Sequence, residues 1–150
     1  MLSKLKEIGK VEFLNFKNSP WCEANKAEFL SIDDYFRALN EGKAENQVEQ
    51  LIIRHAIWWA YNDRIREGQK IFINKNDELR WKENVIKLID LFDYSDLNMR
   101  ILIAEMYRNI GNFKLCLKIL KSIDDPNLIW YKTQIENHCN QKNRWVFELT

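Results

Sequence analysis

The run from Glu45 to Arg66 constrains the fold more than any other stretch, because it contains neither glycine nor proline. Gly68 follows this run and is of a residue type that commonly ends a helix. We therefore predict one long α-helix here. Apolar residues in its middle, including the pair Trp58 and Trp59, leave almost no polar face, so other helices are expected to surround it.

Further helices are indicated on both sides of this run. Ser31 and Asp34 have the spacing of a capping box, and Gly42 can end the helix that they start. Beyond the long helix, apolar residues recur every three or four positions between Trp81 and Phe92. The later signals are a cap at Ser95 or Asp96, a stop at Gly111, a helix in NFKLCLKILKSI and a last helix opened by DDP.

Composition agrees with this pattern, since only 4 Gly and 2 Pro occur among 150 residues. Such a chain has too few turn residues for a sandwich or a barrel of short strands. The predicted fold class is therefore all-α, an irregular helical bundle with stacked helical hairpins. With 46% hydrophobic residues the chain can build one sizeable core, which predicts a single helical domain over residues 1–150.

The two ends of the chain are less regular than its middle. The expected divisions are an irregular segment at 1–30, helices at 31–143 and a tail at 144–150. The apolar stretch VEFLNF near the start suits a strand as well as irregular core cover. Trp145, Phe147 and Leu149 alternate as they would in a strand. A short strand is therefore an option at either terminus.

Charge and cysteine content argue against several function classes. The chain has 23 Lys and Arg against 22 Asp and Glu, and the net charge of +1 gives no field that would draw nucleic acid. No apolar run approaches the ~20 residues of a membrane span, and the first residues lack the apolar block of a secretory signal. Three widely spaced cysteines suit reduced intracellular thiols. We therefore expect a cytoplasmic protein that binds neither nucleic acid nor membranes.

Residues 97–126 resemble a tetratricopeptide-repeat hairpin. The matching positions include signature residues of the first helix, the turn and the packing positions of the second helix: Ile103, Ala104, Tyr107, Gly111, Asn112, Phe113, Cys116 and Leu120. The resemblance implies that the ligand-facing positions of the first helix are Asn98, Ile101, Glu105 and Arg108. It also implies a protein- or peptide-binding adaptor as the function. A generic two-helix hairpin inside an irregular bundle is the alternative.

A second candidate site lies in the long helix, where His55, Trp59, Asn62 and Arg66 are spaced four, three and four residues apart. This spacing places the four side chains on one stripe of a helix. An imidazole, an amide and a guanidinium beside an indole suit an anionic or planar small ligand. The alternative function is therefore a small-ligand-binding or enzymatic domain. The structural interpretation is that the aromatic residues build the core and that the polar residues anchor the helix end.

No catalytic, metal or cofactor site is predicted. The chain lacks the GxSxG, GxGxxG and HExxH motifs and a glycine-rich phosphate loop. Among the candidate metal ligands, only His138 and Cys139 are close in sequence, and adjacent helical residues point about 100° apart. Cys116 is expected to be a buried and unreactive thiol. No residue pattern therefore supports enzymatic activity.

Overall fold

The structure, a computed structural model, describes residues 30–145 as a bundle of α-helices. Six α-helices occur in this part of the chain: α1 (Ile32–Asn40), α2 (Gln47–Arg66), α3 (Lys75–Leu91), α4 (Leu97–Asn109), α5 (Phe113–Lys121) and α6 (Ile129–Asn140). A 3-10 turn (Pro126–Leu128) leads into α6. No strand occurs between residues 30 and 145, and the predicted all-α class is confirmed. The predicted irregular start, the VEFLNF stretch and the positions Phe147 and Leu149 lie outside the described residues.

Short polar side chains cap the N-termini of helices α1 to α4. Ser31 and Asp34 form the predicted capping box: the Asp34 amide donates to Ser31 Oγ at 3.2 Å, and the Ser31 amide donates to Asp34 Oδ2 at 3.0 Å. Asn46, Asn74 and Asp96 likewise accept backbone N–H bonds at the starts of α2, α3 and α4. Each bond satisfies an N–H that the helix itself leaves open, and losing one costs about 1 kcal/mol.

Glycines end three of the helices, as the sequence predicts. Gly42, Gly68 and Gly111 follow α1, α2 and α4 with φ of 69°, 69° and 81°. Residues other than glycine rarely adopt this left-handed backbone. The chain can therefore turn away at the end of each of these helices.

The core consists of two clusters that share helix α4. In the first cluster, Trp58 and Tyr61 of α2 pack with Trp81 and Leu88 of α3 and with Met106 of α4. In the second cluster, α4 packs against α5 and α6 through Ile101, Ile103, Ala104, Cys116, Ile119, Leu120, Ile135 and Cys139. Helix α4 therefore holds the two halves of the bundle together.

Helix α2 is less enclosed than its sequence predicts. Ile57 and Tyr61 are fully buried, whereas Val48 keeps 67% and Ile52 keeps 59% of its surface exposed. Helices α1 and α3 pack against α2. The middle of α2 also contacts α4, whereas Val48 and Ile52 near its N-terminal end are left exposed, so the described helices do not surround α2 along its whole length.

Helices α4 and α5 form the helical hairpin predicted for residues 97–126. Ala104 and Cys116 are completely buried in the core that the two helices share, and Gly111 stands in the turn between them. The small side chain of Ala104 lets the backbones approach closely. The hairpin is thus confirmed, while its membership of the tetratricopeptide family stays a prediction.

Candidate functional site

A row of exposed and half-buried side chains runs along helix α2. Val48, Ile52, His55 and Trp59 are spaced four, three and four residues apart, so they lie on one side of the helix. Val48 and Ile52 are exposed, and His55 and Trp59 are half-buried. We call these four residues the α2 face. Its N-terminal half, Val48 and Ile52, is an apolar surface that the other described helices leave open, and its C-terminal half is partly covered.

His55 and Trp59 are bonded to each other within the α2 face. The indole N–H of Trp59 donates to Nε2 of His55 at 3.0 Å. This bond requires an unprotonated Nε2, which places the proton of the neutral ring on Nδ1. Burial lowers the pKa of His55 below its usual value, and this favours the same neutral form at pH 7.

The other two residues of the predicted small-ligand cluster are placed differently. Asn62 is buried, whereas Arg66 is exposed and pairs with Asp63 at 2.5 Å. The Arg66 guanidinium also lies 5.8 Å from the ring centre of Trp59, within reach of a cation–π interaction. His55, Trp59 and Arg66 therefore share a stripe, and Asn62 lies at its buried edge. A small-ligand role for the cluster stays a prediction.

The adjacent tryptophans divide between core and surface. Trp58 is buried, and its indole N–H donates to Asn109 Oδ1 of α4 at 2.9 Å. Trp59 is only half-buried and points its N–H at His55. The structural interpretation is therefore confirmed in full for Trp58, whereas Trp59 packs against the same core cluster but stays partly exposed.

The face implied by the tetratricopeptide resemblance is largely closed. Asn98 is exposed and Glu105 is partly exposed, but Ile101 and Arg108 are buried. Ile101 belongs to the core shared with α5 and α6. The Arg108 guanidinium binds Glu105 and donates to the backbone carbonyl of Trp145 at 2.9 Å. Ile101 and Arg108 thus have structural contacts here, and a partner-binding role for the four positions stays a prediction.

Asp77 of α3 is a buried charge that sequence reasoning did not single out. Its carboxylate accepts hydrogen bonds from the Tyr61 hydroxyl, from Arg64 at 3.1 Å, from Arg80 Nε at 2.9 Å and from the Ile73 amide at 2.9 Å. Burial by itself raises the pKa of Asp77, but these hydrogen bonds outweigh burial and hold that pKa to about 2. Since all these contacts are internal, we interpret Asp77 as a structural hub.

One sequence signal could have located this hub. Asn74 caps α3, and Asp77 follows it at the spacing of a capping box. That spacing cannot show that Tyr61 and Arg64 reach the same carboxylate from α2. Arg64 also donates to the Ile71 carbonyl at 2.8 Å, so it anchors the C-terminal end of α2, the role predicted for neighbouring polar residues.

A cleft of about 400 Å³ lies between helices α1, α2 and α3. Helix α1 contributes apolar side chains to it, and the other two helices contribute mainly charged ones. The lining includes Phe36 and Leu39 of α1, Arg54 of α2, and Arg80, Glu83 and Lys87 of α3. The cleft therefore combines an apolar wall with basic groups, which suits a small amphipathic anion.

A smaller apolar groove lies between the end of α3 and the α4–α5 hairpin. Its lining includes Phe92, Ile103, Tyr107 and Leu115, and its volume is about 240 Å³. Small-molecule sites usually enclose about 300–1,000 Å³. This groove is therefore a less suitable ligand site than the cleft.

Three features of the described residues concern grouped metal ligands, reactive thiols and membrane-spanning helices. Within residues 30–145, no three His, Cys, Asp or Glu side chains are grouped so that they could hold a metal ion. Cys116 and Cys139 are buried free thiols, and burial raises the pKa of both. None of α1 to α6 is long and apolar enough to cross a bilayer.

Comparisons of the chain found no matching family model, no matching characterised protein and no matching solved structure. The α2 face and the cleft are therefore interpreted from their own geometry and chemistry. The two sites are distinct, because Ile52 of the α2 face and Arg54 of the cleft are two positions apart and point to different sides of α2.

Proposed function

We propose that the chain is a protein-binding helical module and that its partner contributes an amphipathic helix, which packs along the α2 face. One observation carries this proposal: Val48 and Ile52 are exposed on the same side of α2 as His55 and Trp59. Contiguous apolar side chains at a surface often mark interaction sites. The resemblance of residues 97–126 implies the same class of function, although the proposed binding face lies on a different helix.

The α2 face has suitable chemistry for a helical partner. Covering a Val or Ile side chain contributes about 1.5 to 3 kcal/mol, and Trp59 is of the residue type that often dominates binding energy. The row from Val48 to Trp59 covers about 16 Å at about 1.5 Å per residue, which is about three helical turns. A partner helix of that length could cover the row by packing its side-chain ridges beside it.

Charges at the two ends of the α2 face favour one orientation of the partner. Glu45 and Glu49 are exposed at its N-terminal end, and Arg66 is exposed at its C-terminal end. A partner helix with basic residues opposite the two glutamates and an acidic residue opposite Arg66 would match both ends. Charges of this kind at the rim of an interface mainly set orientation and association rate.

Site-specific photo-cross-linking in cells tests the proposal. A photoreactive phenylalanine analogue at Ile52 should cross-link to one partner protein, in a segment that peptide mapping assigns to an amphipathic helix. The same analogue at Leu79, which is 56% exposed on α3, should not cross-link to that protein. Cross-links of equal yield at both positions would contradict the proposal, and so would cross-links only to a second copy of this chain.

Affinity measurements with the mapped helix peptide then separate binding from folding. The Ile52→Glu variant should bind about tenfold more weakly or worse, because it removes an apolar contact and places a charge in the interface. The matched Leu79→Glu variant should bind like the parent protein. Thermal melts establish that both variants are folded. If Ile52→Glu is folded and binds like the parent protein, the α2 face is not the binding site.

A further inference from the structure

The cleft between α1, α2 and α3 contains one cation that differs from its neighbours. Arg80 pairs with two aspartates, at 2.6 and 2.8 Å, and Lys87 pairs with Glu83 at 2.6 Å. Arg54 makes no ion pair with any residue between 30 and 145. Glu83 attracts the Arg54 guanidinium electrostatically, but from beyond ion-pair distance. The positive charge of Arg54 is thus not neutralised by an ion pair with another side chain of the cleft.

The guanidinium of Arg54 also lacks hydrogen-bond acceptors. Its Nη1 donates to Asn84 Oδ1 at 3.3 Å, while Nε is shielded from solvent and has no acceptor within the described part of the chain. The Asn84 amide donates back to the Arg54 carbonyl at 3.0 Å, which fixes the orientation of the asparagine. Burial lowers the pKa of Arg54, since a partly buried charge loses hydration. An incompletely bonded guanidinium of this kind gains strongly from an anionic acceptor.

We infer that this cleft binds a carboxylate with an apolar tail, the carboxylate at the Arg54 guanidinium and the tail against Phe36 and Leu39. A planar carboxylate matches the fork of guanidinium donors. One negative charge also matches the one unpaired cation. A phosphate dianion would need a second unpaired cation, whereas Arg80 and Lys87 already have partners. The volume of about 400 Å³ lies within the usual range for small-molecule sites.

Nuclear magnetic resonance of the arginine side chains tests this inference on the full chain. Hexanoate, a carboxylate with a short apolar tail, should shift the Nε–Hε signal of Arg54 and the backbone amide signals of the cleft until both saturate. The Arg54→Gln variant identifies the arginine signal by its loss. The cleft amides of this variant should report binding about tenfold weaker or worse, because the charge-assisted hydrogen bonds are gone.

Further variants and probes make the test specific. Arg54→Lys keeps the charge without the fork, so it should bind hexanoate more tightly than Arg54→Gln and less tightly than the parent protein. Arg37→Gln, a change of an exposed arginine that does not line the cleft, should leave the affinity unchanged. Binding of hexanol as tight as that of hexanoate would overturn the role of the carboxylate. Equal binding of inorganic phosphate would overturn the choice of a carboxylate. Unweakened hexanoate binding by folded Arg54→Gln would overturn the site itself.

Discussion

The indole N–H of Trp58 donates to the side-chain oxygen of Asn109 at 2.9 Å, across 51 residues of sequence and in a buried setting. The side-chain amide of Asn109 donates to the Arg144 carbonyl, and its backbone carbonyl accepts a bond from Arg144 Nε at 2.9 Å. One asparagine therefore links α2, α4 and the segment after α6. Because α4 belongs to both core clusters, we expect the helices of the described bundle to unfold together.

Replacing Trp58 by Phe should lower the free energy of unfolding by about 1 to 3 kcal/mol, because Asn109 loses a buried donor. Urea unfolding followed by circular dichroism measures this change. Trp130→Phe is the matched control, since Trp130 is exposed on α6, and it should change stability by less than about 0.5 kcal/mol. A double-mutant cycle with Asn109→Ala should give a coupling of about 1 kcal/mol. Additive effects would mean that the bond contributes nothing.

The link between Trp58 and Asn109 shows where prediction from the sequence stops. The cap at Ser31 and the stops at Gly42 and Gly111 depend on residues only a few positions apart, so local patterns predict them. A hydrogen bond across 51 residues depends on how whole helices pack. Burial of an asparagine on α4 has no local signal.

The candidate sites were predictable only in part for the same reason. Spacing along α2 predicts that His55 and Trp59 share a stripe. It cannot predict that Val48 and Ile52 extend this stripe as an exposed surface, because that depends on which sides of α2 its neighbours cover. The cleft around Arg54 requires three helices to be placed together, and no local pattern contains that information.

Replacing Ala104 by Leu should lower the free energy of unfolding by about 1 to 3 kcal/mol, because the larger side chain overpacks a site with no exposed surface. The contact between α4 and α5 is the one that should be weakened. The Ala56→Leu variant makes the same change at a half-buried position of α2 and should cost less than about 0.5 kcal/mol. Equal urea midpoints for the two variants would show that the hairpin is not closely packed at Ala104.

Replacing Gly111 should test whether the turn needs a left-handed backbone, because a larger side chain has room there. A Cβ added there would lie 3.7 Å from Cδ and Nε of Arg144, which is an ordinary contact. The φ of 81° is unfavourable for other residues, so the free energy of unfolding should fall by about 1 to 2 kcal/mol for Ala and by more for the branched Val. Asn tolerates this backbone better, so the predicted order of thermal stability is Gly, Asn, Ala and Val. A Gly111→Ala variant that melts at a higher temperature than Gly111→Asn would contradict a left-handed backbone in the folded protein.

Replacing Asp77 by Asn should destabilise the protein by about 3 kcal/mol, because Tyr61, Arg64 and Arg80 lose the charge that they share. The folded pKa of about 2 lies below the usual value of about 3.9 in an unfolded chain. Asp77 therefore contributes stability above about pH 4, and this contribution is lost as the pH falls towards about 2. Urea unfolding at several acidic pH values should show a weaker acid dependence for Asp77→Asn. Asp90→Asn, a change at an exposed site on the same helix, should keep the parental dependence.

Lowering the pH from about 7 to about 5 should reduce the free energy of unfolding through His55. Its folded pKa lies below the value of about 6.5 in an unfolded chain, so the unfolded chain takes up the proton first as the pH falls. Neutral His55 thus contributes its stability above about pH 6.5, and acidification removes it. His55→Gln keeps an acceptor for the Trp59 N–H and cannot titrate, so its stability should change less over this range.

The second histidine provides the matched control. Burial and Arg108 also lower the pKa of His138, so His138→Gln shows how much of the pH dependence of stability comes from that residue. Urea unfolding at pH values between about 5 and 7 measures the contribution of each histidine to the pH dependence of the free energy of unfolding. If this free energy changes equally with pH in the parent protein and in His55→Gln, His55 is not a source of the pH dependence.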